Sequence, residues 1–199
     1  MSAPGKIRIV GGLFRRTAVP VPNVKNLRPT PDRVRESVFN WLDSTITGAR
    51  CLDLFAGSGA LGIEAASRGA QSVLINDADR IAYRSIKAIA DKLRASRDEP
   101  TCSAAQTLDI RNQDAVSLLN QLIGQSRQFD LIFLDPPFQS GLLESIEPLI
   151  AGLLAPDGAV YLESDQQFTE YANLQTAKNN KAGQVYYHLL NTNSDVESA

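Results

Sequence analysis

One segment, Cys51-Leu-Asp-Leu-Phe-Ala-Gly-Ser-Gly-Ala-Leu-Gly62, constrains the fold of this chain more than any other. It opens as a short apolar strand, turns through closely spaced glycines, and continues from Ala60 to Arg68 as a helix. Glycine at such a turn lets the backbone bend sharply and come close to a ligand where a strand hands over to a helix. The same unit then repeats. Ser72 to Asn76 reads as a strand and Arg80 to Arg94 as a helix, with a polar loop from Ala95 to Ser103 leading to a weaker strand near Thr107 to Ile110. Asp114 to Gln125 is helical, Phe129 to Leu134 a fully apolar strand, Leu142 to Leu154 a helix and Ala159 to Glu163 a strand. Alternation of this kind predicts an α/β fold with a mostly parallel sheet and helices on both faces. Gln184 to Leu190 follows without an intervening helix, so this terminal strand is expected to run antiparallel.

Ahead of this body, Lys6 to Pro22 reads as a small β-hairpin whose two strands flank Gly11-Gly12. A proline-punctuated connector runs from Asn23 to Pro31, and Thr30-Pro31-Asp32 signals the start of a helix, with a cap followed by proline. Val34, Val38, Trp41 and Leu42 recur at helical spacing. The expected division is a basic hairpin and connector over 1–31, a catalytic domain over 32–190 and a frayed tail over 191–199.

Charge sharpens that division. Residues 1–35 hold eight basic side chains against the single acid Asp32, whereas the remaining residues hold twelve basic and 21 acidic ones. A basic arm on an acidic body suits a polyanionic partner, although a solvated surface would also account for it. The chain is 43% hydrophobic and 21% charged, with no apolar run near the roughly 20 residues of a membrane span and no signal-peptide stretch. Cys51 and Cys102 make neither a disulfide framework nor a metal-ligand spacing, which predicts a reducing, cytoplasmic setting.

The glycine loop carries the first chemistry. Gly57, Ser58 and Gly59 form its turn, and Asp77 ends the next strand 20 residues after Gly57, where a carboxylate can accept from both hydroxyls of a ribose. That much fits a nicotinamide-dependent oxidoreductase equally well. Asp53 just before the turn suits the ammonium end of an amino-acid-bearing cofactor, whereas a phosphate prefers an uncharged, amide-rich approach. Asp114-Ala115 follows the third strand. Asp114 can accept from an adenine amino group or simply cap the helix it precedes.

The second chemistry lies at the end of the apolar strand, in Asp135-Pro136-Pro137-Phe138. The two prolines stiffen the chain and remove two donors. The Asp135 carboxylate and the Pro136 carbonyl can then grip both hydrogens of a base amino group and turn its lone pair toward a methyl donor. Phe138 can stack on an extruded base. The only histidine, His188, sits in a terminal strand and suits the sheet better than a catalytic role. These residues imply amino-group methylation but do not choose between guanine and adenine, or between RNA and DNA. A methyltransferase acting on DNA would be expected to carry a separate recognition domain.

The chain resembles the RsmD family, the 16S ribosomal RNA guanine-N2 methyltransferases. The likeness rests on Arg8-Ile-Val-Gly-Gly, Leu27-Arg-Pro-Thr-Pro-Asp-Arg-Val-Arg-Glu-Ser-Val-Phe-Asn-Trp-Leu, Leu52-Asp-Leu-Phe-Ala-Gly-Ser-Gly-Ala-Leu-Gly, Asp135-Pro-Pro-Phe and Tyr161-Leu-Glu-Ser. What it implies is a Rossmann-like class I methyltransferase with a mostly parallel seven-stranded sheet, an antiparallel terminal strand and an N-terminal β-hairpin. It also implies methyl transfer from S-adenosylmethionine to N2 of guanine 966 in the small ribosomal subunit or its assembly intermediate; separately, a monomer with no metal is expected. By motif position it makes Gly57, Ser58 and Gly59 the cofactor loop, Asp77 the ribose acid and Asp114 the adenine-side contact, and the full set of expected cofactor residues adds Asp53, Phe55, Ala56, Ala78 and Ala115. Asp135, Pro136 and Phe138 would be catalytic, and Arg8, Arg15, Arg16, Arg28, Thr30, Arg33, Pro137 and Phe138 would meet the RNA. Ile75-Asn-Asp-Ala-Asp-Arg replaces a more usual glutamate-containing version, which leaves both Asp77 and Asp79 as candidates for the ribose acid.

Overall fold

A computed structural model describes residues 5–24 and 30–192. Five parallel strands form the heart of the sheet: β3 (Arg50–Asp53), β4 (Ser72–Asn76), β5 (Leu108–Arg111), β6 (Phe129–Leu134) and β7 (Leu154–Ser164). Beyond β7 come three antiparallel strands, β8 (Glu170–Tyr171), β9 (Leu174–Ala182) and β10 (Val185–Asn191), in the spatial order β5-β4-β3-β6-β7-β10-β9-β8. The terminal strand β10 pairs antiparallel with β7 as expected. The sheet has eight strands rather than seven, because β9 and the two-residue β8 complete it.

The chain moves from β3 outward to β4 and β5, then returns to the other side of β3 to make β6. That reversal opens a crevice between the carboxyl ends of β3 and β6, where open α/β sheets hold their ligands. Alternate residues of each strand feed two cores. Cys51, Ile75, Phe133 and Tyr161 pack toward α1 (Asp32–Trp41), α2 (Ala60–Ser67), α3 (Arg80–Arg94) and α4 (Glu99–Gln106). Leu52, Leu74, Ile132 and Leu162 pack toward α5 (Ala115–Gly124) and α6 (Leu142–Ile150). Burial on both faces is why these strands are nearly continuous apolar runs. No helix among the described residues is long and apolar enough to cross a membrane.

The N-terminal hairpin is present as β1 (Lys6–Arg8) paired antiparallel with β2 (Ala18–Pro20). Its connection is not the expected tight turn at Gly11-Gly12. A nine-residue loop joins the strands, and the glycines lie against α2 instead. A Cβ on Gly12 would overlap the Ser67 carbonyl oxygen. The Val10 and Gly11 amides donate to the Glu64 carboxylate at 3.0 and 2.9 Å, and the Phe14 amide donates to Ser67 Oγ at 2.8 Å. Glycine here serves close approach of backbone to backbone.

Three other expectations need correction. The stretch expected as a polar loop contains α4, started by Asp98, whose side chain accepts from the Thr101 amide, with Pro100 in the first turn. Thr30 does not cap α1: the capping position is Pro31 and no side chain bonds there. Its hydroxyl is drawn instead to Glu163, 133 residues away. Finally, Arg35 is not part of a free basic arm. It is wholly buried and donates to the carbonyls of Thr30 and Arg8 and to Asp32, with Glu64 Oε2 3.9 Å from its Nε. The tail expected to fray from 191 begins with Asn191 still in β10, and 193–199 lie outside the described residues.

Candidate active site

Four carboxylates stand in a row along the carboxyl edge of the sheet, one per strand. Asp77 follows β4, Asp53 ends β3, Asp135 follows β6 and Glu163 lies near the end of β7. Each is an even number of residues from a side chain in the α1–α3 core (Ile75, Cys51, Phe133 and Tyr161), so strand alternation turns all four to the same face.

The glycine loop sits below the first two. Gly57 and Gly59 both have positive φ, +54° and +79°, conformations that side-chain-bearing residues rarely adopt. A Cβ on Gly59 would also lie 2.9 Å from Ile86 Cγ1. The Gly57 amide donates to Asp77 Oδ2 at 2.7 Å, and the Asp79 amide to Asp77 Oδ1 at 2.8 Å. Asp79 itself caps α3, accepting from the Ile81 and Ala82 amides. Of the two acids left open by the sequence, Asp77 therefore faces the glycine loop and Asp79 is engaged as a cap. Ser58 is buried, while Phe55 and Ala56 are half-buried in the loop.

Asp53 is almost wholly buried and accepts from the Gly62 amide through Oδ2 at 2.9 Å. Burial lifts its pKa to about 7 against that bond, with nearby Asp77 and Glu163 pushing the same way. Its Oδ1 takes no hydrogen bond among the described residues, yet it is not one of the side-chain atoms sealed from solvent without a partner. An unpaired carboxylate oxygen at the end of β3, beside the glycine loop, fits the ammonium group of S-adenosylmethionine, and Asp77 beside Gly57 fits its ribose.

One residue missed by sequence reasoning organises this half. Asn76, buried at the end of β4, donates to the carbonyls of Leu54 and Gln113, and its Oδ1 accepts from the Gln113 amide. Its own carbonyl accepts from Ala56. A single amide thus ties together the loops after β3, β4 and β5. Asn112 adds donations to the carbonyls of Asp77 and Ala78. The signal available was Asn76 itself, a polar residue ending an apolar strand. Asp114 is exposed and caps α5 by accepting from Ser117, which holds its carboxyl below the usual range, while Ala115 is buried in the core. The capping reading is thus realised, and any adenine contact would fall to the exposed carboxylate that remains.

At the β6 end Asp135 is half-buried and its carboxylate takes no hydrogen bond among the described residues. Burial pushes the carboxyl well above the usual carboxylate range, and the neighbouring Glu163 and Asp53 add to the rise. Pro136 is buried; Pro137 and Phe138 are exposed, with 38% of Phe138 in contact with solvent. Phe138 is therefore a surface ring beside the crevice rather than part of the core.

Next to Asp135, Glu163 anchors a second network missed by sequence reasoning. Its Oε1 accepts from the Thr30 hydroxyl at 2.8 Å and the Tyr161 hydroxyl at 2.7 Å. Burial raises the Glu163 pKa against those two bonds and the field of Arg35. Thr30 is thus placed at the site, though by a different route from the one expected. Arg15, Arg16 and Arg33 are exposed, as is the Arg8 side chain, and none of them lies in the row of carboxylates. Arg28 lies outside the described residues.

The family described as conserved hypothetical protein 95 matches residues 7–191. The chain belongs to this family. Its resemblance to the RsmD proteins holds as well: the Escherichia coli K12 protein named ribosomal RNA small subunit methyltransferase D is 40% identical over 203 residues, covering 99% of this chain and 96% of the relative. A solved putative methyltransferase, yhhF from Escherichia coli, superposes with a TM-score of 0.79 at 39% identity, covering 94% of this chain and 98% of that one. The Thermus thermophilus 16S rRNA N2 G1207 methyltransferase, solved with AdoMet and guanosine, shares the fold at a TM-score of 0.69 and 18% identity, over 96% of this chain and 50% of that one. The fold is that of an S-adenosylmethionine-dependent methyltransferase.

Proposed function

We propose that the protein transfers a methyl group from S-adenosylmethionine to the exocyclic N2 of guanine 966 in 16S ribosomal RNA, within the small subunit or its assembly intermediate. One observation carries the reading: the Asp135 carboxylate, without a hydrogen-bond donor among the described residues, stands at the carboxyl end of β6, next to the strand that leads into the glycine loop. The names of the relatives support the ribosomal RNA substrate.

When bound, S-adenosylmethionine supplies an activated methyl group. The protein's part is to hold the amine. Asp77 and Asp53 would grip the ribose and the ammonium of the methyl donor, leaving Asp135 and the Pro136 carbonyl to accept the two hydrogens of the guanine amine. That grip turns the nitrogen lone pair outward, a gain in orientation that ordinary solution encounters lack. Positive charge develops on nitrogen as the new bond forms, and the Asp135 carboxylate beside it stabilises that charge. Asp135 then takes the released proton. Phe138 supplies an exposed ring for stacking. The exposed Arg8, Arg15, Arg16 and Arg33, with Arg28, supply phosphate contacts that position RNA without specifying a base. The expected setting is the cytoplasm and the expected active form a monomer.

The test is methyl transfer from labelled S-adenosylmethionine to small subunits from a methylation-deficient strain, to naked 16S RNA and to duplex DNA, with the modified nucleoside identified by mass spectrometry. N2-methylguanosine from the small-subunit RNA is the expected product. A methylated adenine or cytosine, or transfer to DNA alone, would overturn the reading.

A further inference from the structure

Glu163 is buried with only 5% of its surface exposed, and a structural carboxylate so placed normally has both oxygens satisfied. Here only one is. Oε1 carries both hydrogen bonds, from Thr30 and Tyr161, while Oε2 receives none among the described residues. Among the described residues the side chain is therefore held through Oε1 alone, at the carboxyl edge of the sheet beside Asp135.

What Oε2 stands next to gives it a role. Leu134 of β6 pairs with Leu162 of β7 in parallel register, so Asp135, one residue past the end of β6, and Glu163 of β7 come next along the same face. Adjacent strands lie about 4.8 Å apart. Two carboxyl groups carried side by side on one face can converge on two neighbouring donors. On the Watson–Crick edge of guanine the N1–H and the N2 amine are such a pair. Adenine offers an acceptor at N1, and cytosine an acceptor at N3, where guanine offers a donor.

We infer that Glu163 is the specificity-determining residue for guanine: its free Oε2 accepts from N1–H while Asp135 holds the N2 amine. This rests on the guanine-N2 reading above and deepens it. The row of carboxylates then follows the bound components in order, with Asp77 at the ribose, Asp53 at the ammonium, Asp135 at the amine and Glu163 at the base edge. Thr30 and Tyr161 are positioning residues, because their hydroxyls fix which oxygen of Glu163 faces the base.

The geometry makes the test directional. In Glu163→Gln, the two hydroxyl donors keep the amide oxygen at the Oε1 position and turn the NH2 group toward the base. That replaces an acceptor by a donor. The substrate pair is guanine and 2-aminopurine, which keeps the 2-amino group but has a lone pair at N1. Small subunits would be rebuilt on 16S RNA carrying either base at the methylated position and assayed with labelled S-adenosylmethionine. Unaltered protein should prefer guanine by on the order of 100-fold in kcat/KM, the scale of a hydrogen bond to a charged group. Glu163→Gln should reduce that preference below about 10-fold or invert it.

Equal rates on the two bases with the unaltered protein would overturn the proposal, and that comparison stands even if the variant fails to fold. An unchanged preference in a variant that folds and binds S-adenosylhomocysteine, with both rates lowered together, would also overturn it by marking Glu163 as merely structural. Failure of the underlying reading looks different: the unaltered protein would place no methyl group on N2 of guanine at all.

Discussion

The two sides of the crevice use carboxylates in opposite ways. On the β3–β4 side, Asp77 is held by the Gly57 and Asp79 amides, and Asp53 by the Gly62 amide, all within about 20 residues of chain. On the β6–β7 side, Asp135 is held by nothing among the described residues, and Glu163 is held by side chains, one of them 133 residues distant. A site for a fixed, invariant ligand can be built from local backbone. On the proposed reading, the side that orients a base keeps acceptors without partners among the described residues and borrows its scaffold from a distant segment. Pre-organisation is thus local on one side and tertiary on the other.

The tertiary scaffold is the easier half to break. Arg35 ties the Thr30 and Arg8 carbonyls to Asp32 and lies beside the buried Glu64, so Arg35→Ala should lower stability by about 3–5 kcal/mol, read from chemical denaturation. By contrast, Arg15→Glu combined with Arg16→Glu should leave stability within about 0.5 kcal/mol, because both side chains are exposed. The same pair should flatten the salt dependence of RNA binding by roughly one unit of slope for each phosphate the arm no longer reaches. A normal salt slope would remove that part of the arm from the RNA.

The local half is sharpened by pH. Asp53 ionises near 3.8 in an unfolded chain and at about 7 in the fold. The folded state therefore holds a proton that the unfolded state has lost between those values. Its contribution to stability is full below about pH 3.8 and is lost as the pH rises to about 7. An ammonium beside Oδ1 favours the ionised form, so binding of S-adenosylhomocysteine should release a proton below pH 7. Affinity should rise by up to about tenfold per pH unit up to pH 7 and then level off. Calorimetry in buffers of different ionisation enthalpy measures the proton directly, and no release at pH 6 would take the ammonium away from Asp53.

The same contrast decides what was legible in the sequence. The Gly57–Gly62 turn, the spacing to Asp77 and the Asp135-Pro-Pro-Phe ending of an apolar strand all express local rules, and the parallel core of the sheet follows from its alternating strands and helices. The second network did not show. Thr30 has the appearance of a helix cap and Arg35 that of one more charge in a basic arm, because nothing within a few residues reveals that each bonds across the fold. Strand β9 escaped for a different reason. Leu174 is its only buried residue, and its polar, lysine-bearing face is that of a strand near a sheet edge, with no core-facing alternation to detect. Asn76 was visible as a residue, but its three loop contacts depend on neighbours brought in by β3 and β5.

The division of labour across the crevice is tested most directly by measuring S-adenosylhomocysteine affinity and single-turnover methyl transfer on the pair Asp77→Ala and Asp135→Ala. The expected pattern is crossed. Asp77→Ala should weaken cofactor binding by on the order of 10- to 100-fold and leave the rate at saturating cofactor within a few-fold. Asp135→Ala should bind the cofactor nearly as the unaltered protein does and lose methyl transfer by on the order of 100-fold or more. Parallel losses in both variants, or an Asp135→Ala protein that still transfers methyl groups at near the unaltered rate, would contradict the account.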